Sequence, residues 1–413
     1  MNQGEQKVLN LQERYHTFRR NDEICRYGIF GMNREYFEVA HPLDEPAKRT
    51  VTLSIPAPKL RVMQAVITSK CNLKCAYCSF MANAPVSSAP EMSRAEIEDL
   101  CRKFNREIGS DGLLLITGGE PELYPDAVDY FLDNIDGKVI IFTNGTLSDR
   151  DRLLSYQKRR AGVLFSLDGD LFAQDSVRKG KHGSYNRVAA ALKTAQTIGL
   201  DYGISAVVGD HNIEKLPELI AYIHQEFKPA SLGLNLPHRF GDGVWTRIEE
   251  YTQALKQVFR YARRRDLFID QLNRRLSPLV TGQFRFRDCA AQGEKIVAFP
   301  GGVALSCVNE AALEEPTFDW GYRIPLLNEQ CSDCFAIAIC GGGCIFDGEA
   351  IYGSRKFDER NCYFTREMLE YFIWDFRDEL GESASDPAAL AKKYGALIKR
   401  AKGTNFSVGH EAV

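Results

Sequence analysis

From residue 62 to residue 265, short apolar runs rich in β-branched residues alternate with stretches whose apolar positions follow a helical period. These are the two periodicities that separate strand from helix. Strands are predicted over 62–68, 112–117, 138–143, 162–168, 201–208 and 231–237, and helices over 93–106, 125–134, 147–158, 183–198, 213–226 and 245–265. Strands that alternate with helices pair in parallel through right-handed crossovers. Six such units fall short of the eight that close a TIM barrel. The expected fold class is therefore α/β, an open partial (β/α)6 TIM-like barrel with its reactive residues at the C-terminal strand ends.

Those strand ends collect the unusual loops. Cys71, Cys75 and Cys78 follow the first strand, and Gly118, Gly119, Glu120 and Pro121 follow the second. Thr143, Asn144 and Gly145 end the third, and Ser166, Leu167, Asp168 and Gly169 end the fourth. One glycine-bearing strand end reads equally well as a tight turn, whereas four unusual loops on one rim point to a site. Residues 1–60 read as a separate lead-in, with strand-like stretches at 24–31 and 36–40 and a linker-like close at Ser54, Ile55, Pro56, Ala57 and Pro58. Beyond residue 286 the repeat stops, cysteine and glycine dominate, and helical periodicity returns over 367–378. The expected division is a lead-in over 1–60, the partial barrel over 61–285, a cysteine-rich domain over 286–380 and a tail over 381–413.

At 413 residues the chain exceeds what one core usually organises. With 44% hydrophobic and 26% charged residues and a formal net charge of -3, it lacks the cationic surplus of a nucleic-acid binder, so no such partner is expected. No apolar run reaches the roughly 18 residues that cross a bilayer. The start, from Met1 to Lys7, is too polar for a signal peptide. A cytoplasmic protein without a membrane partner is the expectation. Twelve cysteines in such a chain point to metal or cluster ligation rather than disulfides. Cys25 and Cys101 stand apart from the other ten as packing thiols.

Three soft thiolates on one short loop, Cys71-x3-Cys75-x2-Cys78, suit an iron–sulfur cluster better than a closed zinc site. The competing reading is a structural zinc completed by a distant residue. Three ligands for four irons leave one iron open to an external chelate, much as a catalytic zinc keeps one position free. With Tyr77 before the last cysteine and Gly118, Gly119, Glu120 and Pro121 on the next strand, residues 62–265 resemble the radical SAM superfamily. The resemblance implies that Cys71, Cys75 and Cys78 ligate a [4Fe–4S] cluster whose open iron binds the amine and carboxylate of S-adenosylmethionine (SAM). One electron from the cluster would then open the sulfonium to a 5′-deoxyadenosyl radical. The resemblance further implies cofactor contacts for Gly118, Gly119 and Glu120 at the methionine amine, for Tyr77 beside adenine, and for Ser166 at the ribose or carboxylate. Arg178 is a candidate clamp for the SAM carboxylate, because a guanidinium matches a carboxylate bidentately; a solvated surface charge is its commoner role.

The second cysteine set reads Cys289-x12-Gly302-x4-Cys307, then Cys331-x2-Cys334-x5-Cys340-x3-Cys344, then Cys362. Spacing for spacing it resembles the SPASM domain of the twitch/SPASM subgroup of radical SAM enzymes, which binds two auxiliary [4Fe–4S] clusters; two zinc knuckles are the alternative. By that resemblance Cys331, Cys334, Cys340 and Cys362 hold one cluster, and Cys289, Cys307 and Cys344 hold the other. The latter is one thiolate short, so its last ligand is a non-cysteine side chain, water or substrate.

Auxiliary clusters offer a sink for the second electron of a two-electron oxidation, which favours crosslinking or oxidation over rearrangement. Among SPASM enzymes the sulfatase maturases carry a catalytic aspartate after the Gly-x4-Cys cysteine, whereas here Val308 follows Cys307. Asn235, Leu236, Pro237 and His238, with Asp288, Cys289, Ala290 and Ala291, look more like maturases of ribosomally synthesised peptides. The expected activity is hydrogen abstraction from a precursor peptide to give an oxidised or crosslinked product, with an electron donor such as flavodoxin or ferredoxin. The alternative is a small metabolite or cofactor precursor as substrate. A third reading, a non-catalytic metal scaffold, leaves Gly118, Gly119, Glu120 and Pro121 without a purpose. His238 is a weak catalytic candidate for a proton shuttle at the rim. Asp168 and Asp170 are weaker ones, since carboxylates also form turns.

Overall fold

The structure, a computed structural model, describes residues 6–40, 44–78, 90–238, 244–310, 324–353 and 358–399, with Ile345 described in its backbone alone. At its centre is an eight-stranded sheet. In spatial order its strands are Leu232–Asn235, Tyr202–Val207, Gly162–Ser166, Lys138–Thr143, Leu113–Gly118, Val62–Thr68, Lys295–Ala298 and Ala304–Leu305. Every neighbouring pair is parallel except the last, an antiparallel hairpin. All of Val62–Thr68 is buried, as a parallel strand covered on both faces requires. Helix starts are set by side chains: Ser93 and Glu96 form a capping box before Arg94–Glu107, and Asp149 accepts from Arg152 N at 2.8 Å to begin Arg150–Lys158. The result is the expected open α/β partial barrel. No helix among the described residues is long and apolar enough to cross a membrane.

The cysteine-rich segment is less separate than the sequence suggests. Its strand Lys295–Ala298 pairs in parallel with the first barrel strand, Lys295 opposite Val62 and Ala298 opposite Ala65, so the sheet runs across the expected boundary at 285. A helix over Asp270–Thr281 was not anticipated, because Pro278 lies inside it and breaks its pattern. The last long helix spans Glu359–Leu380, starting earlier than its periodicity indicates and carrying Cys362 in its first turn. In the tail, the helix Pro387–Ile398 buries Leu390, Tyr394 and Leu397, and residues 400–413 lie outside the described residues.

The lead-in also departs from expectation. Ser54 and Ile55 belong to a strand, Thr50–Ile55, that pairs antiparallel with Lys7–Gln12. The polar–apolar alternation from Thr50 to Ile55 is a strand signal that Pro56 and Pro58 end rather than cancel. Tyr15–Arg20, Glu23–Gly28 and Arg34–Glu38 form a three-stranded antiparallel sheet. That sheet packs on the C-terminal part of the chain. Tyr36 Oη donates to Ile373 O at 2.7 Å, Arg377 Nε meets Glu23 at 2.7 Å, and His16 stacks on Phe335 at 4.1 Å.

One buried acid joins barrel and cysteine-rich segment. Asp288 bonds Arg275 Nη1 at 2.7 Å and Arg285 Nε at 3.2 Å, and Arg275 Nε also donates to Thr365 at 3.0 Å. Burial pushes the Asp288 carboxyl up, but the charges of Arg275, Arg285 and Arg274 outweigh it and hold it far below the usual range. Removing one side of a buried ion cluster leaves uncompensated charge, at a cost of about 3–5 kcal/mol. Asp288→Asn, nearly isosteric, is expected to lose stability on that scale in urea unfolding; a midpoint equal to that of the natural chain would show that the cluster contributes nothing.

Candidate metal and cofactor site

The cysteine loop is laid down at the end of the first barrel strand by two backbone ties. Lys74 and Cys75 pair antiparallel with Lys179 and Arg178, and Ala76 N donates to Val177 O at 2.9 Å. Cys71, Cys75 and Cys78 are half-buried, and none of the twelve cysteines is in a disulfide. Burial pushes the Cys71 thiol up, and the Cys75 thiol up to about 11 despite the nearby charge of Arg178. Such thiols stay protonated in water and lose their protons to solvent only when a metal or cluster binds the sulfur.

The glycine loop sits against this one at backbone distance. Gly119 N donates to Thr68 O and Glu120 N to Lys70 O, both at 2.8 Å. A Cβ on Gly119 would lie 2.2 Å from Lys70 O, so only glycine permits that approach. The Glu120 side chain turns inward, accepting from Thr143 Oγ1 and Asn144 N, each at 2.7 Å. Burial, and then the neighbouring Glu122 carboxylate, push its carboxyl up to about 8. Asn144 Nδ2 donates to Asn72 Oδ1 at 2.9 Å and Asn72 Nδ2 to Thr146 Oγ1 at 2.8 Å, closing the third strand end onto the cysteine loop.

Asp168 is a buried charged group beside the site. Arg178 grips it with Nε at 2.9 Å and Nη2 at 3.2 Å, Tyr77 Oη donates to it, and Val207 N donates at 2.9 Å. The bidentate fork of Arg178 is therefore engaged by Asp168, a partner the sequence did not suggest for this candidate clamp of the SAM carboxylate. Arg178 also lies 5.3 Å from the centre of the Tyr77 ring, whose other neighbour is His211 at 6.1 Å. Burial alone pushes the Asp168 carboxyl up, but the Arg178 charge and the hydrogen bonds bring it down to about 2. Asp170 caps the helix Leu171–Val177, accepting from Ala173 N at 2.9 Å, and is structural. Ser166 ends its strand in register with Ser205, whose hydroxyl accepts from Asn235 Nδ2 at 2.9 Å, so the rim carries a polar row.

The remaining seven cysteines gather in two groups. Cys362 lies within electrostatic reach of Cys340, Cys334 and Cys331. Cys289, Cys307 and Cys344 pack together on Ala291 and Phe346. Gln292 holds the segments in place, its Oε1 accepting from Asp288 N and Cys289 N at 2.8 Å and its Nε2 donating to Gly341 O at 3.1 Å. His238, from the sixth barrel strand end, meets Asp347 Oδ1 through Nδ1 at 2.8 Å. Asp347 is paired in turn with Arg360 at 2.9 Å.

The sequence reading overlooked Asn72, Ser205, His211, Gln292, Asp347 and Arg360. Asn72 and Gln292 lie inside the cysteine motifs at positions their spacing leaves open, the others are ordinary polar residues outside them, and only the fold assembles them. His211 had one signal, a histidine four residues beyond the Val207 strand end.

Residues 65–223 match the sequence profile of the Radical SAM superfamily. The chain is 22% identical over 364 residues to the Fe-coproporphyrin III synthase of Methanosarcina barkeri, covering 74% of this chain and 88% of that one. It is 25% identical over 334 residues to the antilisterial bacteriocin subtilosin biosynthesis protein AlbA of Bacillus subtilis, covering 74% and 71%. Among solved structures, native anSMEcpe with bound AdoMet and Cp18Cys peptide superposes with a TM-score of 0.62 at 18% identity, over 80% of this chain and 99% of that one. The glycine and cysteine loops on one rim of the open parallel barrel thus lie within the residues that match the Radical SAM superfamily.

Proposed function

We propose that this chain is a radical SAM peptide maturase that oxidises or crosslinks a ribosomally made precursor, using three [4Fe–4S] clusters. Cys71, Cys75 and Cys78 would hold the SAM-binding cluster, which when loaded supplies the electron that cleaves SAM to a carbon radical. Cys331, Cys334, Cys340 and Cys362 would hold one auxiliary cluster, and Cys289, Cys307 and Cys344 the other. The donor sets fit such groups, being all thiolate and gathered in three places. Gly118, Gly119 and Glu120 would bind the SAM ammonium, with Glu120 bracing the loop from below. Ser166, and Ser205 beside it, would meet ribose or carboxylate hydroxyl and oxygen atoms from the rim.

Asp168 and Arg178 serve by position. Arg178 pairs its backbone with Cys75 and its side chain with Asp168, and Asp168 receives Tyr77, so residues on both sides of Ala76 are fixed to the fourth strand end. A loop held this way keeps its thiols in place through loading and turnover.

The observation that carries the oxidative part of this reading is the position of Cys289, Cys307 and Cys344. Phe346, packed on that group, meets His238 of the barrel rim edge-on at 5.5 Å, so a cluster held by these cysteines would offer an electron acceptor next to the mouth of the barrel. Support for a peptide comes from AlbA, a bacteriocin biosynthesis protein, and from the peptide in the anSMEcpe complex. The resemblance to Fe-coproporphyrin III synthase keeps a small-molecule substrate as the second reading.

The test is the mass of any short peptide encoded beside this gene, coexpressed anaerobically with the chain and with a Cys71/Cys75/Cys78→Ala control. Loss of hydrogen mass only with the intact enzyme is expected, and fragmentation locates the bond. An unchanged peptide, with SAM still cleaved, moves the assignment to a small molecule. A second expectation concerns acid. The carboxyl of Asp168 lies lower in the folded chain than in the unfolded one, near 4, so its stabilisation is complete above that range and is lost as pH falls towards about 2. The stability difference between the natural chain and Asp168→Asn should be full at neutral pH and shrink across that window in urea titrations; a pH-independent difference would refute the pairing as its source.

A further inference from the structure

We infer that His238 supplies the missing ligand of the cluster held by Cys289, Cys307 and Cys344, an inference that rests on the three-cluster reading above. Donor atoms of His238, Cys344 and Asp347 all lie within 4.8 Å of one another. Each donor of a metal site stands about 2.0–2.3 Å from its own metal, so this separation puts the His238 ring beside the Cys344 thiol within reach of one metal centre, and ligands on two irons of a cluster would stand somewhat further apart.

The hydrogen bonds around the ring are those of a metal-bound imidazole. His238 Nδ1 meets Asp347 Oδ1 at 2.8 Å, and Arg360 Nη2 holds Asp347 Oδ2 at 2.9 Å. Arg360 is itself 3% exposed, and its Nη1 donates to Pro237 O at 3.1 Å, so one guanidinium fixes both the carboxylate and the backbone that carries the histidine. A carboxylate on one ring nitrogen sets the tautomer, turns the ring and makes the other nitrogen a better donor to metal. With Nδ1–H given to Asp347, Nε2 carries the lone pair.

Among the described residues, the carboxylates beside Cys307 and Cys344 are bonded elsewhere. Asp347 is divided between His238 and Arg360. Asp358 accepts from Cys344 N and Asn361 N, both at 3.3 Å, and Glu310 accepts from Ser306 N at 2.7 Å and Cys307 N at 3.2 Å. Those backbone bonds hold the thiolate-bearing turns in shape. A histidine from the barrel then completes a set whose thiolates all come from the cysteine-rich segment, joining the cluster directly to the rim. A neutral imidazole in place of a thiolate also raises the potential of a cluster, which suits an acceptor of electrons from substrate.

The test uses the full chain with Cys71, Cys75 and Cys78 changed to Ala, so that only auxiliary clusters contribute, reconstituted with iron and sulfide and reduced with dithionite. About eight irons per chain are required. Pulsed electron paramagnetic resonance is then recorded with natural-abundance and 15N-histidine-labelled protein. The expected result is a nitrogen coupling that changes with the label, is absent from His238→Ala, and is replaced in His238→Cys by an all-thiolate signal of lower potential at the same iron content. Eight irons without a histidine coupling, or a coupling that survives in His238→Ala, would overturn the ligand assignment alone. About four irons would remove the second auxiliary cluster, and the inference with it. Should His238→Ala fail to retain its clusters, the label comparison in the chain that keeps His238, together with His238→Cys, decides the question.

Discussion

The buried ion pair between Asp168 and Arg178 is the constraint on which the barrel site depends. A carboxylate this deep is tolerable only with a guanidinium and further donors around it. Satisfying Asp168 draws in Tyr77 from the cysteine loop, Val207 from the fifth strand and Arg178 from the loop after the fourth. Because Arg178 also pairs its backbone with Cys75, the arrangement that neutralises one charge aligns a metal-binding loop. The glycine loop adds the second half of the frame, since Gly119 lets its backbone come close enough to bond that of the cysteine loop.

A comparable logic governs the cysteine-rich segment. Asp288, next to Cys289, is surrounded by Arg275 and Arg285, while Gln292 bonds the backbone of both Asp288 and Cys289 and reaches Gly341. Arg275 comes from the helix Asp270–Thr281 and touches Thr365 on Glu359–Leu380. The thiols are thus set by polar side chains beside them in sequence, Asp288 and Gln292, and by arginines from outside the cysteine spacings. The lead-in sheet closes the other side of the same helix, so it is part of one packed body with the C-terminal half.

Much of the barrel was legible because parallel strands buried on both faces are nearly continuous apolar runs. The strands Val62–Thr68 and Lys138–Thr143 and the helix Pro125–Asn134 match their predicted limits residue for residue. Where the limits moved, a local device decided: Asp149 starts its helix later than the apolar pattern does. Illegible elements were those whose signal is tertiary. Lys295–Ala298 is four residues long and becomes a strand through pairing with Val62–Thr68, and Pro278 conceals a helix held by its packing.

The sequence by itself determined the chemistry on offer: ten cysteines in fixed spacings, a glycine loop one strand away, and an alternation of elements that puts both on one rim. Spacing along the chain suffices for this, because ligands within one loop are neighbours whatever the rest of the fold does. The tertiary structure decided which distant groups meet them. Arg178, a candidate ligand clamp, came to grip Asp168, and His238 came to lie beside Asp347 and Cys344, more than a hundred residues away in sequence. Such contacts follow from strand order and from the need to pair each buried charge, and neither is written in any local pattern.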